Sequence, residues 1–347
     1  MIKRKILFIV TVPGLGGAQK WVADQIKLFS EEFDLYFSCA EDGWLVNEVE
    51  PHVQAMLIDQ NLNKKFSLSF LRNLNQFIDR NKIDLIVASS ANAGVHARIS
   101  HLFTKKQVIY VSHGWSAVYN GNKFTRPIYI MVELLLSKLT SKILNVSASD
   151  RKIAEDIIGI KQNKMVLIEN AIYPLGKKLE IRDENKLKIV MVARFESPKR
   201  QDLLIQSVQN LEDVELYLVG DGTMREQCQR DKADNIHFVG ASDNVYEVLQ
   251  NCNVFALISD HEGLPMSALE AMSIGMPLLL SNISGCQPLI SNNGFLVDNT
   301  IAAIQEGIKC LQNSDLKQLS RYSYSRYSEK FNLNDHKEQY KALYEGR

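Results

Sequence analysis

Ten short runs rich in isoleucine, valine and leucine punctuate the chain, separated by longer amphipathic stretches. In the first half they are Ile6–Val12, Leu35–Cys39, Leu85–Ala88, Val108–Val111 and Ile143–Val146. In the second they are Lys188–Val192, Glu215–Val219, Ile236–Val239, Val254–Ile258 and Pro277–Leu280. A strand with one wet face alternates polar and apolar residues. Runs this continuously apolar fit strands covered on both faces, as in a parallel sheet with crossover helices on either side. The pattern occurs twice, so the expectation is an α/β chain. It should form two Rossmann-like, doubly wound parallel-sheet domains facing a cleft lined by the carboxyl ends of their strands.

A length of 347 residues agrees with two cores, since a single core seldom grows that large. The rhythm breaks at Ile172-Tyr173-Pro174-Leu175-Gly176, and a polar, charged stretch follows. The expected domains are therefore 1–170 and 171–329. The tail from Ser320 to Arg347 reads as helical and rich in tyrosine.

Composition narrows the function classes. The formal net charge is zero, which excludes a general preference for nucleic acid. Residues 1–170 carry 21 Lys/Arg against 16 Asp/Glu, an excess of +5 that the second half balances. Cys39, Cys228, Cys252, Cys286 and Cys310 are odd in number and hold no Cys-x-x-Cys pair. Neither a disulfide framework nor a structural zinc site is expected, and a reducing cytoplasm is. Lys3-Arg4-Lys5 before Ile6–Val12 imitates a signal peptide, but the turn Pro13-Gly14-Leu15-Gly16-Gly17 makes it a first buried strand. No apolar run approaches the roughly 18 residues of a membrane span.

Four segments at strand ends carry the chemistry. Asp260-His261-Glu262-Gly263-Leu264-Pro265-Met266-Ser267-Ala268-Leu269-Glu270-Ala271-Met272 follows the run ending at Ile258 and takes up helical spacing, with Pro265 as an early helical residue. Glu262 then lies ahead of the helix and Glu270 on its second turn, while Gly263, Leu264, Pro265 and Met266 form a helix start. Such a start attracts phosphate or sugar hydroxyls, and a carboxylate can accept two hydroxyls of one sugar. Arg194 and Lys199 follow the first strand of the second half, where two cations can neutralise a departing diphosphate. A solvated basic loop would show the same residues. Gly14-Leu15-Gly16-Gly17-Ala18 follows the first strand, but Gln19 stands where a dinucleotide fingerprint needs its third glycine. His113 ends the fourth apolar run and so points to a sheet's carboxyl edge. The other histidines have no such setting.

The stretch Glu-Gly-Leu-Pro-x-x-x-x-Glu-Ala-Met resembles the donor-binding Glu-x7-Glu element of family 4 retaining glycosyltransferases, which have the GT-B fold. The likeness runs over nearly the whole chain in the right order. It implies transfer of a hexose-type sugar from a nucleotide-diphosphate sugar to a glycan or lipid-linked saccharide, as in bacterial capsule or O-antigen synthesis. In its terms Glu270 binds the ribose and Glu262 lies against the donor sugar. Arg194 and Lys199 meet the diphosphate, Gly16 and Gly17 bring backbone to the donor phosphate, and His113 contacts the sugar near the reacting carbon. The first domain takes the acceptor, the second takes the donor, and a last helix at about 330–347 packs back on the first. No metal or other cofactor is implied. The loop Asn282 to Pro288 departs from the family, which has a glutamate near Gln287 or Pro288. A sugar-nucleotide epimerase or a non-catalytic sugar-nucleotide-binding relative would share most of these features.

Residues Lys123 to Leu144 set four Lys/Arg and one glutamate beside Ile128, Met131, Leu134, Leu135, Leu136 and Leu139. Two readings fit: a core-packed amphipathic helix, or a helix lying on an anionic bilayer at the inner face of the cytoplasmic membrane.

Overall fold

The computed structural model describes residues 3–115, 118, 123–180, 185–230 and 233–347. Each apolar run becomes a strand of one of two sheets, and every strand pairing in them is parallel. The first sheet holds β1 (Lys5–Ile9), β2 (Asp34–Cys39), β3 (Ala55–Ile58), β4 (Leu85–Ala88), β5 (Gln107–Ser112), β6 (Lys142–Asn145) and β7 (Met165–Leu167). Its spatial order is β3-β2-β1-β4-β5-β6-β7. The second holds β8 (Leu187–Val192), β9 (Val214–Val219), β10 (Ile236–Gly240), β11 (Val254–Leu257), β12 (Leu278–Ser281) and β13 (Gly294–Val297), in the order β10-β9-β8-β11-β12-β13. Both orders reverse beside their first strand, between β1 and β4 and between β8 and β11. That reversal opens a crevice at the carboxyl ends of the two strands.

In the first unit the crossovers are α1 (Gly17–Phe29), α2 (Trp44–Val49), α3 (Leu68–Asn81), α4 (Ala91–Thr104), α5 (Thr125–Ser137) and α6 (Ala148–Ile153). In the second they are α7 (Gln201–Val208), α8 (Arg225–Gln229), α9 (Val245–Leu249), α10 (Met266–Ser273), α11 (Ile301–Gln312) and α12 (Leu316–Lys330), with α13 (Leu333–Glu345) last. Several begin at a side-chain cap that satisfies an otherwise orphaned amide. Ser67 accepts from Phe70 N, Ser147 from Asp150 N, Thr300 from Ala303 N and Asp315 from Gln318 N. One core face of the first unit runs from Leu7 and Ile9 through Ile86, Val108 and Ile143 to Phe70, Leu74 and Ile153, all buried.

The chain divides into two compact units: the described residues up to Asn170 with His336–Arg347, and Ala171–Asp335. The tyrosine-rich tail is two helices, α12 and α13, parted at Phe331. Phe331 O accepts from Ile172 N, and Leu333 N donates to Ile172 O, fixing the tail's course inside the second unit. Beyond His336, α13 buries Tyr340 and Tyr344 in the first unit. Tyr344 packs edge-on to Phe8 and Phe29 at 5.9 and 5.4 Å, and its hydroxyl lies 2.8 Å from Gln25 Oε1. Lys337 and Lys341 both reach Glu32, at 2.7 and 2.6 Å.

Three strands have no counterpart among the ten runs: β3, β7 and β13. All lie at or beside a sheet edge and are only partly buried, so they lack the uninterrupted apolar run of a central strand. His113 follows the fifth strand, because β3 intervenes. Pro265 is the residue before α10 and not its first turn: its ψ of 119° is extended, and the helix opens at Met266. The five cysteines are free. Among the described residues, no helix is long and apolar enough to cross a membrane.

Candidate functional site

The second unit concentrates the expected residues at its sheet reversal. β8 leads into the segment bearing Arg194 and Lys199, and the neighbouring β11 leads into Glu262. The two segments are joined along their backbones. Lys199 forms an antiparallel bridge with Ser259, Asp260 N donates to Pro198 O at 2.9 Å, and Arg200 N to Ile258 O at 2.9 Å. Buried Gln201 Nε2 donates to Arg194 O at 2.9 Å. The turn after β9 backs the same segment, with Phe195 N donating to Asp221 O at 2.9 Å. Gly220 (φ 140°) and Gly222 (φ 150°) sit against it so closely that a methyl group would strike Ala193 O or Phe195 O. Sequence reasoning passed over Gly220 and Gly222, although a Gly-x-Gly directly after an apolar run was a usable signal.

The four expected charges now have definite settings. Lys199 Nζ is ion-paired with Glu262 Oε1, and the two side chains are only 21% and 11% exposed. The Arg194 side chain is 74% exposed, its guanidinium 3.3 Å from Glu196. Arg200 is engaged elsewhere, with Asp202 at 2.9 Å and Asp260 at 3.3 Å. Glu270 is buried on the second turn of α10, and Ser273 Oγ donates to its carbonyl at 2.7 Å. Gly263 precedes the helix, and Leu264 and Met266 are buried around its first turn. Gly285, in the loop that departs from the family, lies flat on the Glu262–Gly263 peptides. A Cβ there would run into both carbonyl oxygens. The loop thus packs directly behind the Glu262 backbone.

In the first unit, Gly16 is the extended residue ahead of α1 (φ −178°), and Gly17 opens that helix without a side-chain cap. Gln19 Nε2 donates to Val12 O at 2.8 Å and ties the glycine turn down. At the β1/β4 reversal, Thr11 and Ser90 hydroxyls meet at 2.7 Å. His113, just past β5, has its Nε2 2.6 Å from Ser89 Oγ. Its ring stands edge-on to Trp21, centroids 5.4 Å apart, and Trp21 Nε1 donates to Tyr340 Oη at 3.2 Å. Burial pushes the His113 pKa down to about 4, so the imidazole is neutral through the neutral range. Ser89 and Trp21 had escaped sequence reasoning, since neither belongs to a motif. Of the remaining histidines, His96 is a satisfied core residue: its ring nitrogens meet Ser67 N and Asn92 O, both at 2.8 Å.

Helix α5 is mounted in an unusual way. Its one acid, Glu133, turns inward to the buried Arg98 of α4, at 2.7 Å. The Arg98 guanidinium also lies over the Tyr110 ring at 4.1 Å. Phe124 (83% exposed), Ile128, Met131 and Leu135, spaced along one face, stand in solvent instead. Lys123, Arg126, Lys138 and Lys142 are exposed beside them.

A family model described as Glycosyltransferase Family 4 matches residues 15–174, and one described as Glycosyl transferases group 1 matches 177–329. The O-antigen biosynthesis glycosyltransferase WbnH of Escherichia coli is 37% identical over 98% of this chain and 99% of its own. The E. coli UDP-Gal:alpha-D-GlcNAc-diphosphoundecaprenol alpha-1,3-galactosyltransferase is 24% identical over 85% of this chain and 84% of its own. Among solved structures, Anabaena Alr3699/HepE in complex with UDP and glucose superposes with a TM-score of 0.84 at 18% identity, covering 98% and 99% of the two chains. With two doubly wound parallel sheets and a relative of this identity along its whole length, the chain belongs to the GT-B glycosyltransferases of polysaccharide synthesis.

Proposed function

We propose that the enzyme transfers a hexose-type sugar, with retention at the anomeric carbon, from a nucleotide-diphosphate sugar to a glycan or lipid-linked saccharide acceptor. The observation that carries this is the convergence at the β8/β11 reversal of Arg194, Lys199 and Glu262 with the helix bearing Glu270. In this reading Arg194 and Lys199 neutralise the diphosphate as the bond to the sugar breaks. Glu270 accepts the ribose hydroxyls. Gly263, Leu264, Pro265 and Met266 present the helix start to phosphate and sugar, and Glu262 orients the sugar. A departing phosphate oxygen takes the acceptor's proton, and the two cations supply the positive charge that a metal ion would otherwise bring. The second unit is the donor unit and the first the acceptor unit. Gly16 and Gly17 add backbone amides toward the donor phosphate, and the neutral His113 contacts the sugar near the reacting carbon.

UDP is the first nucleotide to test, because Anabaena HepE is solved with UDP and with UDP-glucose. Two relatives name diphosphoundecaprenol-linked acceptors, the E. coli galactosyltransferase and a Campylobacter jejuni N-acetylgalactosaminyltransferase. In this reading the enzyme works at the inner face of the cytoplasmic membrane, beside a lipid-linked acceptor. The apolar row of α5 with its flanking cations suits an anionic bilayer surface.

The decisive experiment incubates the protein with UDP- and GDP-sugars and a diphosphopolyprenol-linked acceptor, then assigns the new linkage by NMR. An α-linkage from an α-donor is expected. Inversion of configuration, or epimerisation of donor without acceptor, overturns the reading. Lys199→Ala and Glu270→Ala should each lose activity by about 100-fold or more, with unchanged circular dichroism. Near-normal turnover in both overturns the site.

A further inference from the structure

The lysine expected to meet a diphosphate is paired with a carboxylate of its own chain. Lys199 and Glu262 are paired where water reaches little of either side chain, so the attraction is screened far less than at an open surface. Backbone contacts hold both ends in place. The bridge to Ser259 fixes Lys199, and the close backing of Gly285 fixes the Glu262 peptide. Arg194, by contrast, is largely in solvent and only loosely associated with an exposed Glu196.

We propose that Glu262 is a placeholder for the donor's phosphate. This rests on the nucleotide-sugar reading above and gives that site an order of events. The diphosphate lands on Arg194, displaces the Glu262 carboxylate from Lys199, and takes its place. The freed carboxylate then accepts hydroxyls of the donor sugar. A neutral sugar cannot draw Glu262 away, because that would leave a poorly solvated lysine without an anion. A diphosphate can, since it brings more negative charge than it displaces. The site therefore engages sugar only after diphosphate, which selects nucleotide sugars over free monosaccharides.

The proposal makes an unusual demand: removing a donor-site charge must tighten nucleotide binding. Isothermal titration with UDP, GDP and inorganic pyrophosphate, on wild type, Glu262→Gln, Glu262→Ala and Lys199→Ala, reads this directly. Glu262→Gln and Glu262→Ala should bind the preferred nucleotide about tenfold tighter than wild type, equivalent to about 1.4 kcal/mol, while sugar transfer falls. General damage to the fold can only weaken binding, so tightening reports the removal of the carboxylate itself. Equal or weaker nucleotide binding by both Glu262 variants, with binding lost in Lys199→Ala, overturns the placeholder and leaves the donor site standing. Undiminished binding by Lys199→Ala overturns the donor site and the placeholder together.

Discussion

Two titratable side chains in the first unit, the part-buried His113 and the buried Asp150, work against each other as pH changes. His113 has a folded pKa of about 4 against an ordinary value near 6.5, because burial disfavours its charged form. The unfolded chain then binds the extra proton first, so stability falls as pH drops from about 6.5 toward 4. Asp150 is the opposite case. Its carboxylate is fully buried, so burial raises its pKa to about 6, with the Ser147 hydroxyl offsetting part of the rise. Its charge costs stability as pH rises from about 3.8 to 6, by up to about 3 kcal/mol when complete. The two effects partly cancel between pH 4 and 6. Asp150→Asn should therefore raise Tm clearly at pH 7.5 and little at pH 4.5, and should expose a steeper acid-side loss. Equal gains at both pH values would contradict the assignment. The ring protons of His113 should show no NMR titration midpoint between pH 5.5 and 8.

At the scale of single elements, α5 separates what holds it from what it offers. The buried Arg98–Glu133 pair holds the helix on its inner side, and Ile128, Met131 and Leu135 are exposed on its outer side. Ile128→Glu with Met131→Glu should abolish flotation with phosphatidylglycerol vesicles while leaving stability within about 1 kcal/mol of wild type. Flotation equal to wild type would remove α5 from the membrane contact. Glu133→Gln should instead destabilise by about 3–5 kcal/mol, since it leaves the Arg98 charge buried without its partner. Near α10, Gly285→Ala should depress transfer without unfolding the second unit, because the added methyl displaces the peptides that carry Glu262. Activity at the wild-type level would show that this loop tolerates movement.

At the scale of the whole molecule, α13 closes the first unit. Tyr340 and Tyr344 cover Trp21, Phe8 and Phe29, and Trp21 in turn sets the edge of His113. A chain ending at Asp335 should lose first-unit stability and His113 packing while the second unit keeps its own melting transition. A single unchanged transition would show that α13 contributes little.

The sequence by itself determined the architecture, because runs apolar on both faces can be satisfied only inside a parallel sheet. It also singled out Arg194, Lys199, Glu262, Glu270 and His113 as candidates, because each follows a run and a strand's end is legible locally. Edge strands β3, β7 and β13 stayed hidden because a half-exposed strand need not be uniformly apolar. Only the tertiary structure decided which residues meet. Lys199 and Glu262 are 63 positions apart, and Gly285 must fold back to support Glu262. Glu133 likewise turns inward to Arg98, 35 positions away. Each of these depends on strand order and on long-range contacts, which residue pattern along one segment does not encode.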